Sequence, residues 1–318
     1  MKGARSLSQR QGFALLAVLW ILVGLTALAL TLNLAGRSAI ATTQNRLALA
    51  RARWRAEGCL EITRALITQV LAGRADWLVA PASWTTLDQA VHLAPPFIES
   101  HCTVDLRPTG IALNVNSADA DAFRALFRAA GLPPLTSDSL ADAILDWRDT
   151  GNVSRPLGAK RAYYESVERL PPRNGPFADM RELRRVRGYT EAVARVPALD
   201  TLLTTESGRI VMSRAPLPVL SAIPGFGDEA LARVLELQAR GLVPNDVLAF
   251  SNMLSPDARA RVTSQTMSLM SRLAAEPDAW IVTAHASSGV SPMVTSSVEV
   301  RLVHAGPRAA IVRRRTWP

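Results

Sequence analysis

The chain has 318 residues, 48% of them apolar and 20% charged, with a net charge of +9. That balance is too apolar for a disordered chain and too evenly mixed for a multi-span membrane protein, and the length favours two domains over one. Two cysteines, Cys59 and Cys102, and four scattered histidines exclude a disulfide-dense module and a cysteine-rich zinc framework. Of the basic residues only Lys2 and Lys160 are lysine, and the arginines are dispersed along the chain. Solvated faces account for them better than a nucleic-acid groove does.

The first twelve residues are polar, with Lys2, Arg5 and Arg10 and no acid, and no charged residue follows between Phe13 and Gly36. That run is long enough to cross a hydrocarbon core as a helix. An Ala-, Leu- and Arg-rich stretch continues to about Ala72, with no proline before Pro81. One continuous helix of roughly 90 Å is therefore expected. Its second half repeats Leu47, Trp54, Leu60, Ile67 and Leu71 near helical spacing, an apolar stripe suited to partner helices.

Three readings compete for this segment: a signal peptide cut after Ala27-Leu28-Ala29, a plain signal anchor, and a prepilin-type leader. The apolar run continues past Ala29 and the helical pattern does not break, which argues against the first. A short basic leader ending in Gly12, with Phe13 opening the apolar helix, resembles the leader of type IV prepilins. The resemblance implies a prepilin peptidase that cuts after Gly12 and methylates the amine of Phe13. Most pilins carry Glu at the fifth mature position, where its carboxylate meets a neighbour's N-terminal amine. Here that position is Ala17. A buried charge inside a membrane needs a partner, so a subunit lacking it need not dock behind another, which suits a filament tip.

Farther along, Ala80-Pro81 and Ala94-Pro95-Pro96 mark loops, and strand-like runs at 102–106 and 111–115 flank the turn Arg107-Pro108-Thr109-Gly110. A helical block from Asn116 to about Leu203 opens with Ser117 as N-cap. It carries one helix with Phe123, Leu126 and Phe127, and a second around 139–149 with Leu140, Ile144, Leu145 and Trp147. After a strand at 209–212 comes a helical hairpin at 215–241 and an irregular or helical stretch at 243–264. Strands are then expected at 266–273, 280–284, 297–303 and 309–313, with the last turn at His304-Ala305-Gly306-Pro307. A helical block between strand segments reads as an insertion into one α+β domain.

A weak internal repeat relates residues 113–119 to 210–216, with Ile144, Leu145 and Trp147 matching Val234, Leu235 and Leu237. The turn Gly225-Phe226-Gly227 resembles a helix-hairpin-helix, which offers backbone N–H groups to phosphate in DNA-binding versions. Asp228 and Glu229 follow it directly and oppose that role, so a membrane-anchored DNA-binding protein is the alternative function and packing the simpler reading. No nucleophile elbow, acid/base pair or nucleotide loop marks an enzyme.

The run Leu140 to Asp149 with Trp147, then Gly158-Ala159, Tyr163-Tyr164, Asn174 to Phe177, Glu182-Leu183 and Val186 to Gly188, resembles the K-type minor pseudopilins of the type II secretion system. The resemblance implies an inner-membrane anchor and a periplasmic α+β pilin domain, that is, a long N-terminal helix plus an antiparallel sheet, with a large inserted α-helical domain. It implies I- and J-type minor pseudopilins as partners, at the tip of a pseudopilus that moves folded proteins outward. The corresponding division of the chain is leader 1–12, transmembrane segment 13–36, periplasmic helix and first strands 37–115, inserted helical domain 116–207 and remainder of the pilin domain 208–318. Acidic residues after the Gly-Ala and after the Trp-x-Asp in many relatives suit calcium. Here Lys160 and Arg161 stand in their place, and Asp142, Asp146 and Asp149 remain, either as cation ligands or as an ordinary solvated helix face. In an oxidising periplasm Cys59 and Cys102 are candidates for a disulfide.

Overall fold

A computed structural model describes residues 8–72, 102–244, 246–274, 277–289, 293–305 and 308–317. Helix α1 runs unbroken for 65 residues, Ser8–Ala72, a rod of about 98 Å. No proline interrupts it. The hydroxyls of Thr26 and Thr31 donate back to the carbonyls of Val23 and Leu28 at 2.9 and 2.8 Å, so these polar groups are satisfied within the helix. The first seven residues of the leader, and the loops expected at Pro81 and Pro95, lie outside the described residues.

The second half of the rod docks on a four-stranded antiparallel sheet of order β1-β6-β7-β8. Its strands are β1 (Cys102–Pro108), β6 (Ala279–Ser288), β7 (Val294–Ala305) and β8 (Arg308–Trp317). Ala56, Cys59, Leu60 and Ile67 of α1 pack with Trp280, Val282, Ala284 and Ala286 of β6 and with Val298, Val300 and Leu302 of β7. The alternation along β7 puts those three residues on the helix-facing side and Glu299 and Arg301 on the other. The buried stripe differs from the expected one. Ala52, Ala56, Cys59, Leu60, Thr63 and Ile67 are covered, whereas Leu47 and Trp54 stay 52% and 75% exposed. Small side chains allow the close approach to the sheet, so the covered face contains alanines that a search for bulky anchors passes over.

Cys59 of α1 and Cys102 of β1 are joined as a disulfide, Cα to Cα 6.6 Å, and both are buried in this helix–sheet core. Farther out, Arg55 donates to the carbonyl of Ser287 at 2.8 Å and Arg314 pairs with Glu57.

Everything between β1 and β6, which are neighbours in the sheet, forms a second body. The chain leaves at Pro108 and returns opposite it, Pro108 facing Trp280. The two crossings are tied by Thr109, whose N–H donates to Ala279 O at 2.9 Å and whose Oγ1 accepts from Ala279 N at 3.1 Å. Val211 N donates to Gly110 O at 2.9 Å. Gly110 has φ +84°, and a Cβ there would lie 2.1 Å from Arg209 O, so only glycine fits the neck. Arg209 and Asp278 close it with a forked ion pair at 2.8 Å.

Burial pushes the Asp278 carboxyl up, but the guanidinium and backbone N–H of Arg209 outweigh it and hold the group below its usual range. A carboxyl depressed in the folded state contributes stability that is present above its unfolded pKa and lost as pH falls through the folded one. Asp278→Asn is therefore expected to lower the urea midpoint near neutrality, with the gap to wild type closing between roughly pH 5 and pH 2. A gap that stays constant over that window would show the pair to be energetically idle.

One apolar core runs from Leu113 to Leu273 through the second body. The boundary expected at residue 207 falls inside that core: Val219, Leu220, Phe226, Val234 and Phe250, assigned from sequence to the pilin domain, pack with Phe123, Leu140 and Trp147 of the helical body. The weak repeat explains why. Strand β2 (Leu113–Asn114) pairs in parallel with β3 (Leu203–Thr204), and β4 (Ile210–Val211) pairs in parallel with β5 (Leu273–Ala274). Each unit opens and closes on such a two-residue pair, and each clamps its strand-to-helix turn from the end of its long helix. Arg148 donates to the carbonyls of Val115 and Ala118, while Gln238 donates to those of Met212 and Ala215 at 2.6 and 3.0 Å. These are equivalent positions in the two units.

Three local expectations change. Asp119, not Ser117, caps the first helix, its carboxylate accepting from Ala122 N at 2.9 Å. The second helix starts earlier, at Pro134, with proline in the first turn where its missing N–H costs nothing. Residues 266–272, expected as a strand, are helical. Leu269 is the buried position of that helix and Met267 and Met270 are exposed, so the alternation that a half-buried strand would need is missing.

Candidate functional site

Two regions carry the candidate functional residues: the apolar rod and the acidic end of the second long helix. In the rod, the backbone passes from Ser8 through Gly12 and Phe13 into the apolar run without a break. Leu15, Leu19, Trp20, Ile21, Leu25, Leu28, Leu32 and Leu34 are each more than half exposed. They cover every side of the helix, so no face is reserved for water. It is long and apolar enough to cross a membrane. Ala17 sits within this segment, and its methyl brings no charge there.

Helix α1 thus supplies the rod, helix α2 (Ala120–Ala129) begins the helical body, and helix α3 (Pro134–Arg148) carries the carboxylates. Asp142 and Asp146 are one turn apart on the inner face of α3, and Asp149 ends it in extended conformation. The solvated-face reading fails for the first two, which are buried, Asp146 completely. Asp142 accepts from Arg124 and from Leu157 N, each at 3.2 Å. Asp146 accepts from Arg155 Nη1 at 2.7 Å, Arg155 N at 3.1 Å and Ser154 Oγ at 3.0 Å. Arg155 Nη1 also reaches Asp149 Oδ2 at 3.4 Å. The backbone N–H of Gly151 holds the Asp149 carboxyl below its ordinary range, with Arg155 and Lys160 adding to the effect over a smaller opposing loss of hydration. Gly158 is obligatory, because a Cβ there would lie 2.0 Å from Asp146 Oδ2.

Other residues that carry the family resemblance pack around the end of the same helix. Trp147 meets Tyr164 edge-on at 5.4 Å and stacks with Phe177 at 6.4 Å. Asn116 exchanges two hydrogen bonds with the backbone of Phe177, at 2.8 and 3.0 Å. Asn174, with φ +53°, donates its N–H to Trp147 O at 3.1 Å. Lys160 is buried, its ammonium 2.6 Å from Asp149 O and 3.3 Å from Asn174 Oδ1. Arg161, by contrast, is exposed and reaches Glu165 at 3.5 Å. Arg155 was not legible as part of this group. It stands six residues beyond Asp149 in a loop with no motif of its own, and only the fold brings it back over α3.

The hairpin at Gly225-Phe226-Gly227 is used internally. Phe226 stacks on Phe250 at 5.4 Å, and the Gln265 side chain lies over Gly225, 2.3 Å from where a Cβ would be. Glu229 accepts from both N and Oγ of Ser255 at 2.7 Å, joining the hairpin to the next helix start. Between the outer sheet face and the helical body, Glu206 pairs with Arg301 and Arg313, and Glu299 lies within 3.9 Å of Arg107, Arg313 and Arg315. The Glu206 pairs tie the helical body to the sheet, while those of Glu299 link strands β1, β7 and β8 across the sheet's outer face.

Residues 105–199 match the family model of type II secretion system (T2SS) protein K. Among solved structures the chain is similar to a chain of the GspK-GspI-GspJ complex from the type 2 secretion system of enterotoxigenic Escherichia coli. The TM-score is 0.59 and the identity 15%, over 87% of this chain and 99% of that one, which speaks for a shared fold. No curated protein matches.

Proposed function

From the protein K domain at residues 105–199, borne on a membrane-length apolar rod, we infer that the chain is a K-type minor pseudopilin of type II secretion. The continuity of α1 is the observation that carries this reading. One helix supplies both a lipid-length segment and the spine against which the sheet folds, so anchor and domain are mechanically one piece. The family is a structural component of a secretion machine, and this chain works by assembly and has no catalytic role. The segment 13–36 holds it in the inner membrane by a single pass, with the sheet and helical body in the periplasm.

Prepilin peptidase removes residues 1–12 and methylates Phe13. Absence of a carboxylate at Ala17 supports a place at the pseudopilus tip, where nothing needs to dock ahead of the subunit. The solved relative is named as part of a complex with GspI and GspJ, and I- and J-type minor pseudopilins are the partners proposed here. Leu47 and Trp54, on the side of the rod away from its own sheet, offer apolar area for their helices.

The test is co-expression of the full chain with I- and J-type subunits from the same host. The three are expected to co-purify from detergent-solubilised membranes, and Trp54→Glu to weaken that association without lowering the amount of K-type chain. Recovery of the chain free of both partners, at undiminished expression, would overturn the assignment. Duplex DNA at low salt is expected to leave the chain unbound.

A further inference from the structure

The calcium that the family resemblance implies does not match the donors present. A hard divalent cation wants six to eight oxygen ligands and a local excess of negative charge. Here the carboxylate oxygens of Asp142 and Asp146 already accept from Arg124, Leu157 N, Ser154 and Arg155. Asp149 accepts from Gly151 N and Arg155. The three carboxylates face three cations, Arg124, Arg155 and Lys160. Among the described residues no cluster of carboxylate, imidazole or thiolate groups is arranged to hold a metal ion.

The ammonium of Lys160 is the informative group. It is buried, as lysine seldom is, and it rests on two neutral oxygens, Asp149 O and Asn174 Oδ1. Those oxygens belong to the end of α3 and to the segment that returns along Trp147. A cation seated between a backbone carbonyl and an amide oxygen cross-links two chain segments as a metal would. Arg155 ties its own loop to the end of α3 through Asp146 and Asp149.

We propose that Lys160 and Arg155 are resident cations that fix the 149–174 loop, and that this chain needs no divalent ion there. The inference rests on the chain's own side chains and stands whether or not the secretion role is correct. The experiment is thermal melting of the full chain in detergent, with millimolar calcium and with chelator. Wild type is expected to melt at the same temperature in both. Lys160→Met, which keeps the stem and removes the charge, is expected to melt several degrees lower in both. A wild-type melting temperature raised several degrees by calcium would overturn the proposal, as would a Lys160→Met variant melting like wild type. If the variant does not fold, the wild-type comparison still decides whether a divalent ion is required.

Discussion

Arg155→Ala is expected to destabilise the helical body by about 3 kcal/mol, the lower end of the range for stranding one partner of a buried ion pair. Asp146 decides the cost more than the arginine does. The guanidinium side chain is 34% exposed, so its Coulomb attraction is partly screened, but the carboxylate is wholly buried. Without Arg155 it keeps only Ser154 Oγ and a backbone N–H, and a buried charge short of donors is costly. Arg161→Ala, at an exposed pair on the neighbouring helix, should change stability by less than about 0.5 kcal/mol. Urea denaturation of the two variants makes the comparison. Equal effects would mean that Asp146 does not depend on the guanidinium.

Replacing both Cys59 and Cys102 by serine is expected to cost about 4 kcal/mol, since the bridge closes a loop spanning 43 positions. Its effect should be confined. The disulfide lies in the helix–sheet core, which shares no residue with the core running from Leu113 to Leu273. Protection of the rod and sheet amides in hydrogen exchange should fall, and that of Phe123, Leu140 and Trp147 should persist. A uniform loss over both cores would show that the two bodies unfold as one. Reduction of wild type by dithiothreitol should reproduce the double variant.

What the sequence alone reveals follows from how each signal is encoded. The rod was legible because an uncharged run followed by unbroken helix formers is a local property. Strand β7 was legible because Val298, Val300 and Leu302 alternate with charges. The reach of the helical body was not: the strand at 209–212 is visible in sequence, but neither its parallel partner Leu273–Ala274 nor the Gln238 clamp is. Of the site, Asp142, Asp146, Asp149 and Lys160 were identifiable as residues. Their burial and pairing depend on Arg155 folding back from a loop, a contact with no sequence period to announce it. The buried stripe on α1 is hidden in sequence for a related reason: Ala52 and Ala56 are buried because a sheet lies there, and residue size alone does not reveal a neighbour.

Anchor and assembly role both depend on where the mature chain begins. Mass spectrometry of the N-terminal peptide, from chain purified out of the native membrane, reads this directly. A peptide starting at Phe13 and carrying one extra methyl group on its amine is the predicted result, with the apolar rod retained. A chain beginning at Leu30 would mean that Phe13 to Ala29 had been discarded as a signal peptide, and neither a membrane anchor nor a pseudopilus subunit would be left.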